Sequence, residues 1–306
     1  MNYKTPGVYV EEIAKFPPSV AQVETAIPAF IGYTAQGPKN EPTRISSMLE
    51  YETLFGKAKN EGEKIKISIV DAVITPTFDS KLGTFKMYYA MQMYFANGGG
   101  PCYIVSVGTA NGYPTDGLVK SADLEAGLAT LEKEDEPTLI VFPDAESLDM
   151  VKAYDLYELA LDHAEMMKDR FVIMDVVGNT PDAVKNFRDN VASGPSGERL
   201  KYGAAYYPKL ETVLSYSFDD KDVEITSYKV KNDLGVLVDV TMPVNQHNLA
   251  WLKSNGSEFY NQAKKAIESK PVVMVPSSAM AGVYAKVDST SGVFKAPANV
   301  GLNYVV

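Results

Sequence analysis

Short, continuously apolar runs that alternate with helical segments dominate the middle of the chain. A strand that is apolar on both faces must be covered on both faces, which is typical of parallel sheets in α/β proteins. The runs lie at residues 102–107, 138–142, 171–177 and 202–207. The helical segments lie at residues 123–133, 150–167 and 180–191. The pattern therefore predicts an α/β fold, in which helices flank a mostly parallel sheet.

The segments on either side of this region extend the prediction. Upstream, the patterns predict a strand at residues 26–34, a helix from Ser47 to Gly56 that opens with a capping box, a strand or hairpin at 65–77 and a helix at 85–96. Downstream, they predict a β-rich insertion at about residues 209–240, helices at 249–253 and 258–267, a last central strand at 272–275 and then a loop.

The first 25 residues predict an extended arm. Pro6 and Gly7 disfavour a helix, and the apolar residues that follow are spaced as in a half-buried strand. An isolated strand leaves its N–H and C=O groups unpaired, so we expect it to join the sheet of a neighbouring subunit. The residues predicted to make this contact between subunits are Thr5, Pro6, Gly7, Val8, Tyr9, Val10 and Ile13.

These elements predict four parts of the chain. They are the arm at residues 1–25, an α+β portion at 26–108, an α/β body at 109–275 that contains the β-rich insertion, and the start of a truncated C-terminal region at 276–306. The chain of 306 residues is long enough for two domains or one large one.

Charge and composition exclude several classes of function. The net charge of −10 argues against nucleic acid as a partner, because phosphates require a basic surface. A single cysteine excludes an intrachain disulfide. No run of about 18 apolar residues predicts a membrane span, and residues 1–7 lack the apolar stretch of a secretory signal. We therefore expect assembly in a cytoplasm and no insertion into a membrane.

Catalytic motifs are absent from the sequence. The glycines at residues 98–100 follow a helix and precede a strand, whereas a phosphate-binding loop has the opposite order. Cys102 opens an apolar strand, so a core position is expected rather than a nucleophile. His163 lies at the flank of a helix's apolar face, and His247 has no carboxylate near it in sequence. We expect His163 to be an ordinary exposed or half-buried residue.

Acidic residues and serines near the predicted strand ends allow two interpretations. Asp144, Glu146 and Asp175 could form an acid pair or a magnesium site. Aspartates in such places also cap the next helix, and this is the favoured interpretation. Ser277 and Ser278 follow a strand without a base that would activate them, so a loop or capping role is expected. The sequence thus predicts no enzyme activity, no metal and no cofactor.

Five segments of the chain resemble a known family, the contractile tail sheath proteins of bacteriophages and related injection machines. They are TPGVYVEE at residues 5–12, PPSVAQVETAIPAFIGYTAQGP at 17–38, RISSMLEYETLFG at 44–56, ANGGGPCYIVSVG at 96–108 and VPSSAMAGVYAKVDSTSGVFKAPANV at 275–300. The lead-in at residues 3–30 is closer to the injection-machine branch.

The resemblance implies a structural subunit of a helical sheath, which polymerises around an inner tube and contracts to drive it through a target envelope. It implies contacts with other copies, with baseplate and cap proteins, and with tube protein through a C-terminal domain beyond the APAN segment, which this chain lacks. The particle would be a virion tail or an injection device that is released or anchored. Another strand-exchanging assembly protein and an α/β enzyme with an unrecognised site remain the alternatives.

Overall fold

A computed structural model of the chain describes residues 25–108, 112–191, 197–243 and 247–306. Its strands are β1 Pro28–Gly32, β2 Thr43–Ile45, β3 Ile65–Val70, β4 Val73–Phe78, β5 Cys102–Ser106, β6 Leu139–Val141, β7 Phe171–Asp175, β8 Gly203–Tyr206, β9 Leu210–Ser215, β10 Glu224–Lys231, β11 Leu237–Asp239 and β12 Pro271–Met274. Its α-helices are α1 Met48–Phe55, α2 Met87–Ala96, α3 Ser121–Thr130, α4 Met150–Met167, α5 Pro181–Val191, α6 Leu249–Ser254, α7 Phe259–Glu268 and α8 Ser277–Ser291.

Six strands form the central sheet, in the order β2-β5-β1-β6-β7-β8. All neighbouring pairs are parallel except β2 and β5, which are antiparallel. Helices α3, α4 and α5 lie between its strands in the chain, as the alternation of apolar runs and helices indicated. The mostly parallel sheet with flanking helices is therefore confirmed.

Residues of β1 show how the central sheet is covered on both faces. Ala29 and Ile31 belong to the core on the face of α3, α4 and α5, whereas Phe30 belongs to the core on the face of α1, α2 and α8. Every residue of β1 is buried. Because side chains alternate across a strand, both faces need apolar residues, which explains the continuous apolar runs in the sequence.

A second, peripheral sheet has the strand order β11-β10-β3-β4. The hairpin of β3 and β4 confirms the prediction for residues 65–77. In β3 the alternate residues Ile65, Ile67 and Ile69 are buried against α6 and α7, while the other face of the strand is polar or half-buried. Strand β10 pairs in parallel with β3, so this sheet joins segments that lie far apart in the chain. The division at residue 108 stays a prediction, and both sheets contain strands from either side of it.

Strands β9 and β12 form a separate antiparallel pair, the small sheet. The prediction that residues 272–275 form a last central strand is therefore wrong, and the β-rich insertion is not one self-contained meander. Val272 and Met274 pack against Tyr89 and Met93 of α2. An apolar run of four residues is too short to reveal its partner, which here is set by packing against a helix.

Residues 277–291 form α8, so the predicted loop in this segment is wrong. Serine, glycine and alanine are abundant there because α8 lies very close to α2. A Cβ atom added at Gly282 would lie 2.5 Å from the carbonyl oxygen of Tyr94. Ala279 and Ala281 are fully buried. The small residues that suggested a loop are the ones that permit this helix contact.

Candidate functional site at the two ends of the central sheet

The predicted contact residues of the arm, from Thr5 to Ile13, lie outside the described residues, and their role stays a prediction. The structure does describe where the chain enters the central sheet. The hydroxyl group of Thr138 donates to the carbonyl oxygen of Thr25 at 2.9 Å and accepts from the amide of Ile27 at 2.9 Å. The hydroxyl group of Thr25 donates to the carboxylate of Asp288 at 2.8 Å. These contacts hold Thr25 at the amino end of the central sheet.

A cavity of about 500 Å³ opens at this amino end of the sheet. Its described lining includes Thr25, Gly98, Pro101, Asp288 and Gly292. It lies beside the last turns of α2 and α8, and Phe294 stands next to it with 88% of its surface exposed. An exposed phenylalanine beside an open cavity is typical of a surface that contacts another chain.

At the carboxyl end of the sheet, where α/β proteins commonly bind ligands, polar side chains of the chain itself fill the space. Asp144 follows β6 and is fully buried. Its carboxylate accepts from the amide of Tyr33 at 2.7 Å and from the amide of Lys86 at 2.5 Å. Burial raises the pKa of Asp144 to about 6, although these amide donors act in the opposite direction.

Asp175, the last residue of β7, has the same role at another helix. Its carboxylate accepts from the amide of Ser277 at 2.9 Å, in the first turn of α8. Burial raises the pKa of Asp175 to about 7. Capping was the favoured interpretation of both aspartates, but they cap α2 and α8 and not the helices that follow them in sequence. Ser277 and Ser278 are buried in this first turn, so of the loop or capping role expected for them the loop is wrong and a position at the helix start is what the structure shows.

Glu146 lies between two lysines in the same region. The amine of Lys86 lies 2.6 Å from one carboxylate oxygen of Glu146, and the amine of Lys209 binds the other. Lys86 also donates to the carbonyl oxygen of Val273 in β12, at 2.8 Å. Burial alone would raise the pKa of Glu146, but the two lysines outweigh it and lower the pKa. We call Lys86, Glu146 and Lys209 the ion triad.

The ionisable side chains just described at this end of the sheet are all engaged in contacts within the chain. Glu146 is ionised and paired on both oxygens, and Asp144 and Asp175 are held by backbone amides. Within the described residues, no group of three or more His, Cys, Asp or Glu side chains is placed to hold a metal ion.

The cysteine and the two histidines occupy three different environments. Cys102 is buried at the start of β5, as predicted, and burial raises its pKa well above the usual value. His163 is buried, which corrects the expectation of an exposed or half-buried residue; its Nε2 lies 2.9 Å from Arg170. Burial and the Arg170 charge lower its pKa. His247 is exposed, and its ring contacts the carbonyl oxygen of Met242.

An exposed hairpin tip at the far side of the peripheral sheet was not singled out by the sequence. The side chain of Asn232 accepts from the amides of Leu234 and Val236, both at 3.0 Å. These bonds hold the turn between β10 and β11 in a defined shape, and Leu234 is 86% exposed at its tip. Asn and Gly in this turn were the available signal, because both favour tight hairpins.

Among the described residues, no helix is both long and apolar enough to cross a membrane.

The sequence matches no family model, and it matches no curated protein. Solved structures do align with nearly the whole chain. A chain in the cryo-EM structure of the anti-feeding prophage (AFP) helical sheath in the contracted state is 25% identical, with a TM-score of 0.50 over 99% of this chain. A chain in the 6-fold symmetrised AFP baseplate gives the same values.

A chain in the AFP baseplate in the contracted state has a TM-score of 0.58 at 20% identity, again over 99% of this chain, and this likeness concerns the fold alone. The present chain covers 58% of each of the first two chains and 60% of the third. It therefore spans somewhat more than half the length of the chains that it matches.

Proposed function

We propose that this chain, which has the fold of contractile tail sheath proteins, is a structural subunit of a contractile sheath. The structural likeness confirms the family resemblance that the sequence indicated. In the proposed assembly, copies polymerise helically around an inner tube, and contraction of the sheath drives the tube through a target envelope. The observation that carries the proposal is the alignment of 99% of the chain with a chain of the AFP helical sheath.

The arrangement of the two ends of the central sheet supports a structural role. The carboxyl end is occupied by capping aspartates and the ion triad, which leaves little room for a substrate. The amino end is open, and the chain enters there beside a cavity. An arm that leaves from this point could pair with a neighbour's sheet and tether it while the subunits rotate and slide.

Partners and location follow from the same proposal. The subunit would contact other copies of itself, a baseplate and a cap, and it would reach the inner tube through a C-terminal domain that follows the APAN segment. Assembly would take place in the cytoplasm, and the finished particle would be a virion tail or an injection device. Contraction needs no nucleotide, because the stored energy lies in the difference between two lattice packings.

Electron microscopy of the purified full-length protein tests this proposal. Helical tubes of regular pitch are expected, either alone or around added tube protein. Compact monomers under all assembly conditions would contradict a sheath role and would favour the alternative of an α/β enzyme. Closed shells or fibres without a lumen would instead indicate another strand-exchanging assembly protein.

A further inference from the structure

The peripheral sheet is joined to the rest of the molecule through four crossings of the chain. The chain enters before β3, returns after β4, enters again before β10 and returns after α7. The second return leads directly into β12, and the second departure leaves directly from β9. Two of the four crossings are therefore connected directly to the small sheet.

The ion triad connects these crossings to the central sheet. Lys86 lies at the end of the segment that returns from β4, and Lys209 immediately precedes β9. Both bind Glu146, which follows β6 of the central sheet. Lys86 also holds the carbonyl oxygen of Val273 in β12. Through Lys86 and Lys209, three of the four crossings are thus connected to the carboxylate of Glu146.

The triad is buried, and this determines what it contributes. The side chains of Lys86 and Glu146 are 9% and 10% exposed, and that of Lys209 is 20% exposed. Apolar residues of similar volume often replace a buried ion pair without loss of stability, since desolvation offsets the Coulomb attraction. Directional contacts to fixed oxygens can instead select one arrangement among several that bury the same apolar surface.

We propose that the ion triad is a positioning device that holds the peripheral sheet in one orientation relative to the central sheet. The apolar contacts of Val272 and Met274 with α2 supply the adhesion of the small sheet, whereas the triad sets its position. Without the triad, the two sheets remain folded and the angle between them varies. This proposal does not depend on the sheath function.

Distance measurement between spin labels tests the proposal in the full chain. The labels are placed at Thr75→Cys in β4 and Lys152→Cys in α4, both exposed positions, while Cys102 is buried. Double electron–electron resonance on the otherwise unchanged protein should give one narrow distance distribution. The variant with Lys86→Met, Glu146→Leu and Lys209→Met should show the same urea midpoint and a distribution about twofold broader.

The matched control removes an exposed ion pair within the peripheral sheet. Lys66→Met with Glu224→Leu removes the 2.9 Å contact between β3 and β10 and should leave the distribution narrow. An unchanged width in the triad variant overturns the proposal, as does equal broadening in the control. If the triple variant does not fold, Lys209→Met alone is measured instead, because it keeps the buried pair of Lys86 and Glu146. The same broadening is then expected, and an unchanged width overturns the proposal.

Discussion

The two ends of the central sheet differ in what their polar groups do. At the carboxyl end, Asp144, Asp175 and Glu146 are buried and hold other parts of the same chain. At the amino end, Thr25 and Asp288 line an open cavity and are hydrogen-bonded to each other. In an α/β enzyme the carboxyl end would be open for a ligand. Here polar groups at that end hold parts of the fold together, and an open cavity lies at the opposite end.

Removal of one member of the ion triad should give the largest loss of stability. Glu146→Ala leaves the buried amines of Lys86 and Lys209 without a carboxylate, so the free energy of unfolding should fall by about 3–5 kcal/mol. The control Glu224→Ala removes an exposed partner of Lys66 and should cost less than about 1 kcal/mol. Urea unfolding measures both, and equal losses would contradict the contrast between buried and exposed pairs.

The contact between α2 and α8 lies on one face of the central sheet and should tolerate no added volume. Gly282→Ala places a Cβ atom 2.5 Å from the carbonyl oxygen of Tyr94, and the repacking should cost about 1–3 kcal/mol. Gly100→Ala, at the open amino end, meets nothing within 4 Å and is the matched control. In thermal unfolding, the Gly282→Ala protein should have a lower unfolding temperature than the Gly100→Ala protein. Equal unfolding temperatures would show that the two helices can move apart without cost.

The raised pKa of Asp175 predicts a pH dependence with a definite sign. Its pKa is about 7 in the folded protein and lies at the ordinary value of 3.8 when the carboxyl group is exposed. The folded state therefore binds the proton more tightly, and this carboxyl group adds stability as the pH falls from 7 toward 4.

Asp175→Asn removes the buried charge but keeps an oxygen that can accept from Ser277. At pH 8 the variant should be more stable than the unchanged protein by about 1–2 kcal/mol, and the gain should shrink toward zero at pH 5. Urea unfolding at the two pH values measures this. A gain of the same size at both would show that charge at this end of the sheet has no part in the effect.

The smallest effect is expected for His247, whose side chain is of a type common in catalysis. His247→Gln changes an exposed side chain and should alter the free energy of unfolding by less than about 0.5 kcal/mol. In the full-length protein it should also leave the length and number of assembled tubes unchanged in electron micrographs. If this variant folds but forms no tubes, a surface needed for assembly lies on the peripheral sheet and not only at the amino end.

Local patterns in the sequence predicted the central sheet well. The apolar runs around Ile104, Ile140 and Ile173 each became a buried strand, since a strand covered on both faces can be read without knowledge of its neighbours. The N-cap at Ser47 was also predicted correctly, because the Glu50 amide donates to the Ser47 hydroxyl group. The other half of the predicted capping box is displaced by one residue, since the Glu50 carboxylate accepts from the amide of Ser46 and not from that of Ser47. These features depend on contacts within a few residues.

Features that depend on distant partners could not be predicted in the same way. The favoured capping role of Asp175 was correct in kind, but its helix begins 102 positions further along the chain. The partner of β12 and the helical state of residues 277–291 depend on packing against α2. The ion triad joins residues 86, 146 and 209, and no local pattern indicates which lysines approach Glu146.

In the proposed assembly the amino end makes the contacts between subunits and the carboxyl end stabilises the fold, and deletion of residues 1–13 tests this most directly. The deletion is made in the full-length protein, and thermal unfolding is measured beside electron microscopy of assembled material. We expect an unchanged unfolding temperature and no helical tubes, because the sequence of the arm predicts little apolar burial within its own subunit and a strand contact with the neighbour. Long tubes formed by the deleted protein would contradict the assignment.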